Sequence, residues 1–314
     1  MAYKIPLNVL DAVDHHFRGG FTAWKTRHAA FVQNNPHAIE ALEIVAVQLF
    51  ISHLNGHVGA EPILRAVINC RTSAPCFRTC CPYCRTVTQM QASTKAVSAF
   101  DGFQAEELKF VTILLPFETD GAQAVETMKD FRSKFSPLLR YNADALSSPQ
   151  NRFKMQGAFE IDLKNIVTDW DSSPESRLLM RVLGYNEKHF PPQYLPHFHA
   201  IVGPINDNSE QLLNSLIEKA LGKPLLPSQV LYVSLHQHRT KDHNLSRTAS
   251  YMFKGRLQFA DNVFLDNKMQ KRTRYHTPFK GKVLLNYLKA VEAAQNFKGL
   301  KFDFGLSSTS LQST

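Results

Sequence analysis

The order of hydrophobic periods between residues 107 and 257 is the feature that most constrains the fold of this chain. Short segments rich in branched and aromatic residues indicate strands, whereas apolar residues at every third or fourth position indicate helices. The predicted strands are 107–117, 155–163, 194–203 and 229–235, and the predicted helices are 122–139, 209–221 and 244–257. The order strand, helix, strand, strand, helix, strand, helix predicts an α+β fold. Its split βαβ pattern forms an antiparallel sheet with helices on one face.

Composition divides the whole chain into segments of different character. We predict a helical N-terminal region (1–60), a cysteine-rich segment (61–100), the sheet-containing core (101–260) and a basic C-terminal region with a frayed tail (261–314). Within the first segment, residues 38–53 carry apolar side chains at helical spacing. The polar stretch 164–193, between the second and third strands, is predicted to be an insertion.

The charge balance favours a polyanionic partner. The formal net charge is +9 at pH 7 and the isoelectric point is about 9.3, and nucleic acid is the commonest polyanion that binds basic proteins. No apolar run approaches the ~18 residues that span a bilayer, and the first residues lack the pattern of a secretory signal. The sequence therefore predicts a cytoplasmic protein without a membrane partner, in a compartment that keeps thiols reduced.

Two histidines lie two positions apart inside an apolar strand. Side chains alternate between the faces of a strand, so His197 and His199 project from one face while Phe198 projects from the other. Two imidazoles held in this way can bind one divalent cation. The alternative interpretation is a pair of half-buried histidines that hydrogen-bond to the backbone or to water.

The preceding strand supplies carboxylates on one of its faces. Glu160 and Asp162 alternate with apolar residues, which predicts a strand with one solvated face. Consecutive strands usually pair, so either carboxylate can complete a site of two histidines and one carboxylate. Such a site suits Mn²⁺ or Mg²⁺, which can polarise a phosphate oxygen. The strand pattern alone leaves Glu160 and Asp162 as alternatives.

A tyrosine on the predicted helix after the last strand is the candidate nucleophile. Arg247, Tyr251 and Lys254 share one helical face at spacings of four and three residues. Cations beside a phenol stabilise its phenolate and can neutralise a phosphate group. The position of this helix, directly after the last strand of the predicted sheet, makes Tyr251 and Lys254 candidates for catalysis and Arg247 a candidate for DNA contact. A tyrosine that only packs at the surface is the alternative interpretation.

These motifs resemble those of the HUH endonuclease superfamily. Residues 196–202 resemble its metal-binding strand, residues 109–116 its first motif and residues 251–254 its nucleophile helix. The resemblance covers about half of the chain, from residue 107 to residue 256. It implies a ferredoxin-like or RRM-like core in which His197, His199 and Glu160 hold the cation.

The resemblance also implies an activity. Tyr251 would cut one DNA strand, form a 5′-phosphotyrosine bond and release a 3′-hydroxyl that primes synthesis or rejoins. A single tyrosine resembles rolling-circle replication initiators of plasmids and phages, with origin DNA, a host helicase and a host polymerase as partners. No nucleotide-binding loop of the ATPase type occurs in the chain. The alternatives are a single-tyrosine transposase and, in another class, a zinc-containing DNA-binding regulator without catalysis. A conjugative relaxase fits less well, because relaxases often use three histidines.

All five cysteines lie between positions 70 and 84, which predicts a zinc knuckle. The predicted ligands are Cys70, Cys76, Cys81 and Cys84, with Cys80 left over and with His53 or His57 as substitutes. Exposed arginines around the knuckle are expected to suit phosphate contact, namely Arg71, Arg78 and Arg85.

A second basic stretch lies near the C-terminus. Residues 268–282 interleave cations with Tyr275 and Phe279, and we predict DNA contact there. The predicted contact residues are Lys271, Arg272 and Arg274. A solvated basic loop is the alternative interpretation. Another His-x-His pair, His236 and His238, is a weaker candidate for a ligand.

Overall fold

The computed structural model describes residues 7–146, 153–164, 174–186, 188, 192–235, 238–254, 258–265 and 272–306. Its helices are α1 (Leu7–His16), α2 (Gly20–Arg27), α3 (Ala29–Asn34), α4 (Pro36–Leu54), α5 (Ala60–Ile68), α6 (Pro82–Ala99), α7 (Gly121–Tyr141), α8 (Ala143–Leu146), α9 (Pro174–Val182), α10 (Asp207–Leu221), α11 (Lys241–Tyr251), α12 (Gly281–Ala293) and α13 (Asn296–Leu300). Its strands are β1 (Lys109–Leu114), β2 (Lys154–Lys164), β3 (Gln193–Gly203), β4 (Val230–Ser234), β5 (Gln258–Leu265), β6 (Arg272–Pro278) and β7 (Lys301–Phe304). None of the helices in the described part has the length and hydrophobicity needed to span a bilayer.

The chain divides into two compact units that are not continuous in sequence. The first unit comprises Met1–Thr88 and Gly255–Gly299, and the second comprises Gln89–Lys254 and Leu300–Thr314. The chain thus returns to its first unit after it leaves the second. The four consecutive segments expected from the sequence do not describe this connectivity.

The first unit is built around α4. Its bounds confirm the predicted helix at 38–53, and most of its described apolar side chains, such as those of Leu42, Leu49 and Phe50, are buried. Helix α12 packs on α4, and the buried side chain of Gln48 accepts a hydrogen bond from the backbone N–H of Gly281 at 3.1 Å. This bond satisfies one of the N–H groups that every helix leaves unpaired at its N-terminus.

The second unit contains a five-stranded antiparallel sheet in the order β4-β1-β3-β2-β7. This finding confirms the predicted α+β class and the antiparallel sheet. The four predicted strands correspond to β1–β4, and their bounds differ from the predicted ones by up to a few residues. The short strand β7 was not predicted.

One face of the sheet packs against α7 through aromatic rings. Phe198 contacts Phe159, Phe135 and Phe302, with ring centroids 4.9, 6.3 and 5.2 Å away. Gly157 makes room for this cluster, because a Cβ there would lie 2.6 Å from the Phe198 ring and 2.5 Å from the His199 carbonyl oxygen. Burial of Phe198 on this face directs the two neighbouring histidines to the other face.

The predicted solvated face of β2 is wrong. Residues from Met155 to Ile161 are buried on both sides of this strand. The C-terminal half of α6 covers the second face, where the Gln156 amide donates a hydrogen bond to the carbonyl of Ala92 at 2.9 Å. Helices therefore cover both faces of the sheet at this strand, and Glu160 is buried.

The helix that carries the candidate tyrosine is shorter than predicted. It begins at Lys241 instead of 244 and ends at Tyr251 instead of 257. Thr240 caps its N-terminus by accepting a hydrogen bond from the backbone N–H of His243. The predicted insertion, 164–193, contains helix α9 within its described part.

Candidate metal centre and tyrosine

Strand register brings the two histidines and a carboxylate to one face of the sheet. In the antiparallel pairing, Glu160 lies opposite His197, and Thr112 of β1 lies opposite His199. Directly opposed residues project from the same face. The prediction that both imidazoles share a face is therefore confirmed, and the preceding strand supplies the carboxylate.

The ligand atoms of these residues converge on one point. The Nε2 atoms of His197 and His199 lie 3.3 and 3.6 Å from Oε2 of Glu160. The candidate ligand atoms of all three side chains lie within 4.8 Å of one another, and all three residues are buried. Two imidazole nitrogens and one carboxylate form a mixed N/O set that suits a divalent cation.

Each imidazole is oriented by a partner on its other nitrogen. Nδ1 of His197 donates to the carbonyl oxygen of Leu195 at 3.1 Å, which leaves the lone pair of Nε2 for a ligand bond. Nδ1 of His199 lies 2.8 Å from the hydroxyl oxygen of Thr112. Such partners fix the ring orientation of metal-binding histidines.

The carboxylate of Glu160 carries the sharpest indication of a bound cation. Both of its oxygens are buried and accept no well-aligned hydrogen bond among the described residues. A buried carboxylate in that state is costly unless a counter-charge or a metal satisfies it. Lys254 provides one counter-charge, with Nζ 3.1 Å from Oε2. The donor set therefore fits a divalent cation.

The surrounding charges also act on His197. Burial favours the neutral imidazole, but the close contact with Glu160 and the negative charge of Asp162 outweigh it, so the pKa of His197 is raised. Asp162 contributes charge without joining the cluster, because it lies opposite Leu195 and not opposite a histidine. Glu160 is thus the carboxylate that the structure brings to the histidines.

Tyr251 lies beside this centre at the C-terminal end of α11. Its ring centroid is 5.7 Å from that of His199 and 6.1 Å from that of Phe110, in both cases edge-on. The side chain is 42% exposed, so a large substrate can reach it. Nζ of Lys254 lies 3.8 Å above the Tyr251 ring. Lys254 therefore contacts both the tyrosine and the carboxylate.

Helix α6 holds the tyrosine helix in place. The hydroxyl of Ser93 lies 2.8 Å from that of Ser250 and donates to the carbonyl of Ser246 at 3.0 Å. Gln89 donates to the carbonyls of Ser250 and Phe253 at 3.2 and 3.3 Å. Sequence reasoning missed these positioning residues and Thr112. The four-residue spacing of Gln89 and Ser93 marks a shared helical face, but it names no partner.

A cationic row, made of two arginines and one histidine, leads to the tyrosine. Arg239 precedes α11, with its Nη1 3.3 Å from Nε2 of His243, and His243, Arg247 and Tyr251 follow at four-residue intervals on one face of the helix. The first three residues are exposed and line an open depression at the start of the helix. Among the described residues, neither arginine forms an ion pair. The predicted DNA-contact residue Arg247 belongs to this row.

The first unit contains the second cluster of ligand atoms. Cys70, Cys76, Cys81 and Cys84 come together, and Sγ of Cys84 lies 3.5 Å from that of Cys70 and 3.7 Å from that of Cys76. Cys70 follows α5, while Cys81 and Cys84 flank the start of α6. The predicted set of four is thereby brought together, and this spacing of sulfurs is that of a site able to hold one metal ion.

Cys80 lies outside the cluster, as the sequence predicts. It is buried, and burial, followed by the neighbouring charge of Cys76, raises its pKa to about 12. The substitute ligand His53 lies elsewhere, beside Glu61 at 3.9 Å.

The three predicted exposed arginines differ from one another. Arg71 is exposed, but the predicted exposure of Arg78 and Arg85 is wrong. Arg78 forms an ion pair with Glu292 and is 22% exposed. Burial lowers the pKa of Arg85. Neither guanidinium is a free surface cation.

Other predicted residues lie away from the centre or outside the described residues. Lys271 and His236 lie outside the described residues, and so do the side chains of Arg272, Arg274 and Tyr275. Another tyrosine of the same sheet, Tyr232, lies opposite Val111, on the face away from the histidines, and donates its hydroxyl to Asn214 at 2.8 Å.

Comparison with known proteins identified no relative of this chain. No protein-family model, curated protein or solved structure matches the chain.

Proposed function

We propose that this protein is a metal-dependent endonuclease and strand transferase that cuts single-stranded DNA with Tyr251. The observation that carries the proposal is the convergence of Glu160, His197 and His199 beside an exposed tyrosine. A buried carboxylate with two oriented imidazoles can hold a cation, and a solvent-accessible phenol at its edge can act as a nucleophile. The resemblance to HUH endonucleases, which rests on the same residues, supports this proposal.

The proposed reaction transfers one phosphodiester bond to the protein. The Tyr251 oxygen forms a bond to phosphorus while the bond from phosphorus to the 3′-oxygen breaks. The phenol proton leaves to solvent, and the 3′-oxygen takes up a proton and becomes a hydroxyl. A bound Mn²⁺ or Mg²⁺ would supply polarisation of a phosphate oxygen. Reversal by a 3′-hydroxyl rejoins the strand, so no external energy source is needed.

Lys254 is proposed to serve two stages of this cycle. Its ammonium lies 3.1 Å from Glu160 and 3.8 Å above the ring of Tyr251. In the absence of a cation it neutralises the buried carboxylate. With a cation and substrate present, a small movement of this flexible side chain places the charge next to a phosphate oxygen, where charge neutralisation lowers the barrier.

The cationic row on α11 is the proposed path of the DNA backbone. Arg239, His243 and Arg247 are exposed, and the row ends at Tyr251. Residues four apart on a helix are separated by about 6 Å along its axis, so the two arginines, which lie on either side of His243 in the row, can contact different phosphates. This path delivers a phosphate to the nucleophile without base-specific contacts.

The cysteine cluster is proposed to hold one structural zinc. Four thiol ligands in one cluster are typical of closed zinc sites, which stabilise a fold without an open position for chemistry. Zinc would join the end of α5 to the start of α6. The net charge of +9 is consistent with DNA as the partner of the whole chain.

The biological role that we propose is initiation of rolling-circle replication at an origin, with a host helicase and polymerase. A transposase has the same chemistry, and the DNA that flanks the gene separates the two roles. A zinc-containing regulator without catalysis would bind DNA but would never become joined to it.

The decisive experiment looks for the covalent adduct. The protein is incubated with Mn²⁺ and labelled single strands that cover the DNA flanking its gene, and the mixture is boiled in detergent. We expect a labelled protein band, with the adduct mapped by mass spectrometry to Tyr251. Tyr251→Phe retains the ring contacts and should bind DNA without forming the band.

The matched control is Tyr232→Phe, which removes a phenol on the other face of the sheet. An adduct on another tyrosine would refute the choice of nucleophile. Full cleavage by Tyr251→Phe without any adduct would show that water is the attacking group.

A further inference from the structure

A cavity lies on the same face of the sheet as the candidate metal centre. It has a volume of about 460 Å³, which falls within the usual range for small-molecule sites, about 300–1,000 Å³. Its walls come from α6, β2, β7 and the segment after α11, all within the second unit. The lining residues that matter here are Lys95, Lys154, Gln156, Phe253, Lys301 and Asp303.

The cavity carries a positive charge balance. Three lysines and one aspartate line it. Lys95 pairs with Asp303 at 2.7 Å, and Lys154 donates to the carbonyl of Ala99 at 2.8 Å. Burial lowers the pKa of Lys301, with Asp303 opposing and Lys95 adding to this effect. An anionic group bound between Lys95 and Lys301 would compensate the buried charge of Lys301 and offset the repulsion between the two cations.

A buried amide in the cavity wall has an unused acceptor. Gln156 is 3% exposed and its nitrogen donates to the carbonyl of Ala92. Its oxygen is buried and accepts no hydrogen bond among the described residues. Buried polar atoms nearly always have a partner, so such an atom needs an explanation. The terminal torsion of a glutamine is broad, and a small rotation offers this oxygen to a ligand that carries a donor.

The rest of the lining suits a planar group. Phe253 and small alanines form an apolar wall. An anion, a planar apolar body and an edge with hydrogen-bond donors are together the chemistry of a nucleotide. On β2, Gln156 and Glu160 are four residues apart and share a face, which separates them by about 13 Å along the strand. The cavity is therefore close to the centre where the strand would be cut.

We propose that this cavity binds one nucleotide, with its phosphate between Lys95 and Lys301 and an exocyclic amino group of its base at Gln156. The inference deepens the proposed function and rests on it for the choice of single-stranded DNA as the source of the nucleotide. Adenine, cytosine and guanine carry such an amino group. Thymine does not, and its carbonyl oxygens would repel the amide oxygen. The cavity would then select the base a few positions from the cut.

The test measures binding without cleavage, in a buffer without added divalent cation. Fluorescence anisotropy compares short labelled strands of oligodeoxyadenylate, oligodeoxycytidylate and oligothymidylate. We expect Gln156→Met to reduce the preference for adenine and cytosine over thymine by roughly 2- to 12-fold, the effect of one hydrogen bond. Gln123→Met, an exposed position on α7, should leave the preference unchanged.

A second pair of variants keeps the test independent of the stability of Gln156→Met. Lys95→Ala and Lys301→Ala should weaken binding of all three strands, whereas Lys134→Ala on α7 should not. Calorimetric titration with the free nucleotides dAMP and dTMP identifies the source. If binding of the strands depends on Gln156, the site belongs to DNA. If only the binding of dAMP depends on Gln156, the site belongs to a free nucleotide.

Unchanged base preference in Gln156→Met, together with unchanged affinity in both lysine variants, would overturn the proposal. Because cleavage is not measured, failure of this site leaves the covalent adduct at Tyr251 unaffected. Absence of the adduct would likewise leave these binding measurements valid.

Discussion

Lys254 holds its ammonium nitrogen 3.1 Å from Oε2 of Glu160, within a site where the glutamate side chain is 6% and the lysine side chain 16% exposed. A buried ion pair is tolerated in a folded protein only while both partners are present, because the loss of one partner leaves an uncompensated buried charge. The two histidines next to the carboxylate offer a second way to compensate it. The structure therefore predicts that a lysine and a divalent cation can substitute for each other in stabilising Glu160.

The first prediction concerns Lys254→Met. This change keeps the length of the side chain and removes its charge, so it should destabilise the metal-free protein by about 3–5 kcal/mol. Saturating Mn²⁺ should then raise the melting temperature of the variant more than that of the unchanged protein. Thermal unfolding with and without Mn²⁺ measures both effects. Lys129→Met, at an exposed position on α7, should behave as the unchanged protein does, and an equal response of both variants would contradict the prediction.

The second prediction concerns the hydroxyl that orients His199. Thr112 lies opposite this histidine and contacts its Nδ1 at 2.8 Å. Thr112→Val conserves shape but removes the hydrogen bond, and loss of such a partner typically lowers metal affinity by about 10–100-fold. Calorimetric titration with Mn²⁺ measures the affinity directly, whether or not the protein cuts DNA. Thr127→Val removes a hydroxyl bonded to Glu118 on the other side of the sheet and should leave the affinity unchanged.

The candidate metal centre was largely predictable because strand geometry is periodic. Alternation along β3 places His197 and His199 on one face, and pairing of consecutive strands brings β2 beside them. The sequence alone left Glu160 and Asp162 as alternatives. The choice depends on register, since Glu160 lies opposite His197. Register is set by packing across the whole sheet, and a local pattern does not contain it.

The covered face of β2 was not predictable, because the helix that covers it has no clear apolar stripe. Helix α6 carries many small polar residues, and it uses the Gln156 side chain and hydroxyl contacts to pack. Strand β7 has four residues, too few to show a period. The end of α11 at Tyr251 also lacks a local signal, since the next glycine is Gly255. Long-range contacts decide all three features.

The third prediction concerns the cysteine cluster. Protein purified under reducing conditions without a chelator should contain about one zinc per chain, measured by elemental analysis. Cys84→Ala removes a ligand, so it should lose the zinc and melt at a lower temperature. Cys80→Ala removes a buried thiol of the same size next to the cluster and should retain the zinc. Equal zinc content in the two variants, or none in the unchanged protein, would refute the site.

The last prediction concerns the cationic row on α11. Each cation that contacts a phosphate releases a counterion when DNA binds, so the logarithm of the binding constant falls with the logarithm of the salt concentration. Loss of one contact to a single strand should reduce this slope by about 0.7. We expect Arg247→Ala and Arg239→Ala each to reduce the slope by this amount. The double variant should show the sum of the two reductions, because the two side chains would contact different phosphates. Anisotropy titrations of a labelled single strand at several salt concentrations give the slopes.

The matched control for this row is Arg140→Ala, which removes an exposed arginine at the end of α7. Its slope should equal that of the unchanged protein, because the proposed DNA path follows α11 to Tyr251. If all three single variants reduced the slope equally, the chain would bind DNA through its general positive charge. Helix α11 would then not guide the strand to the tyrosine.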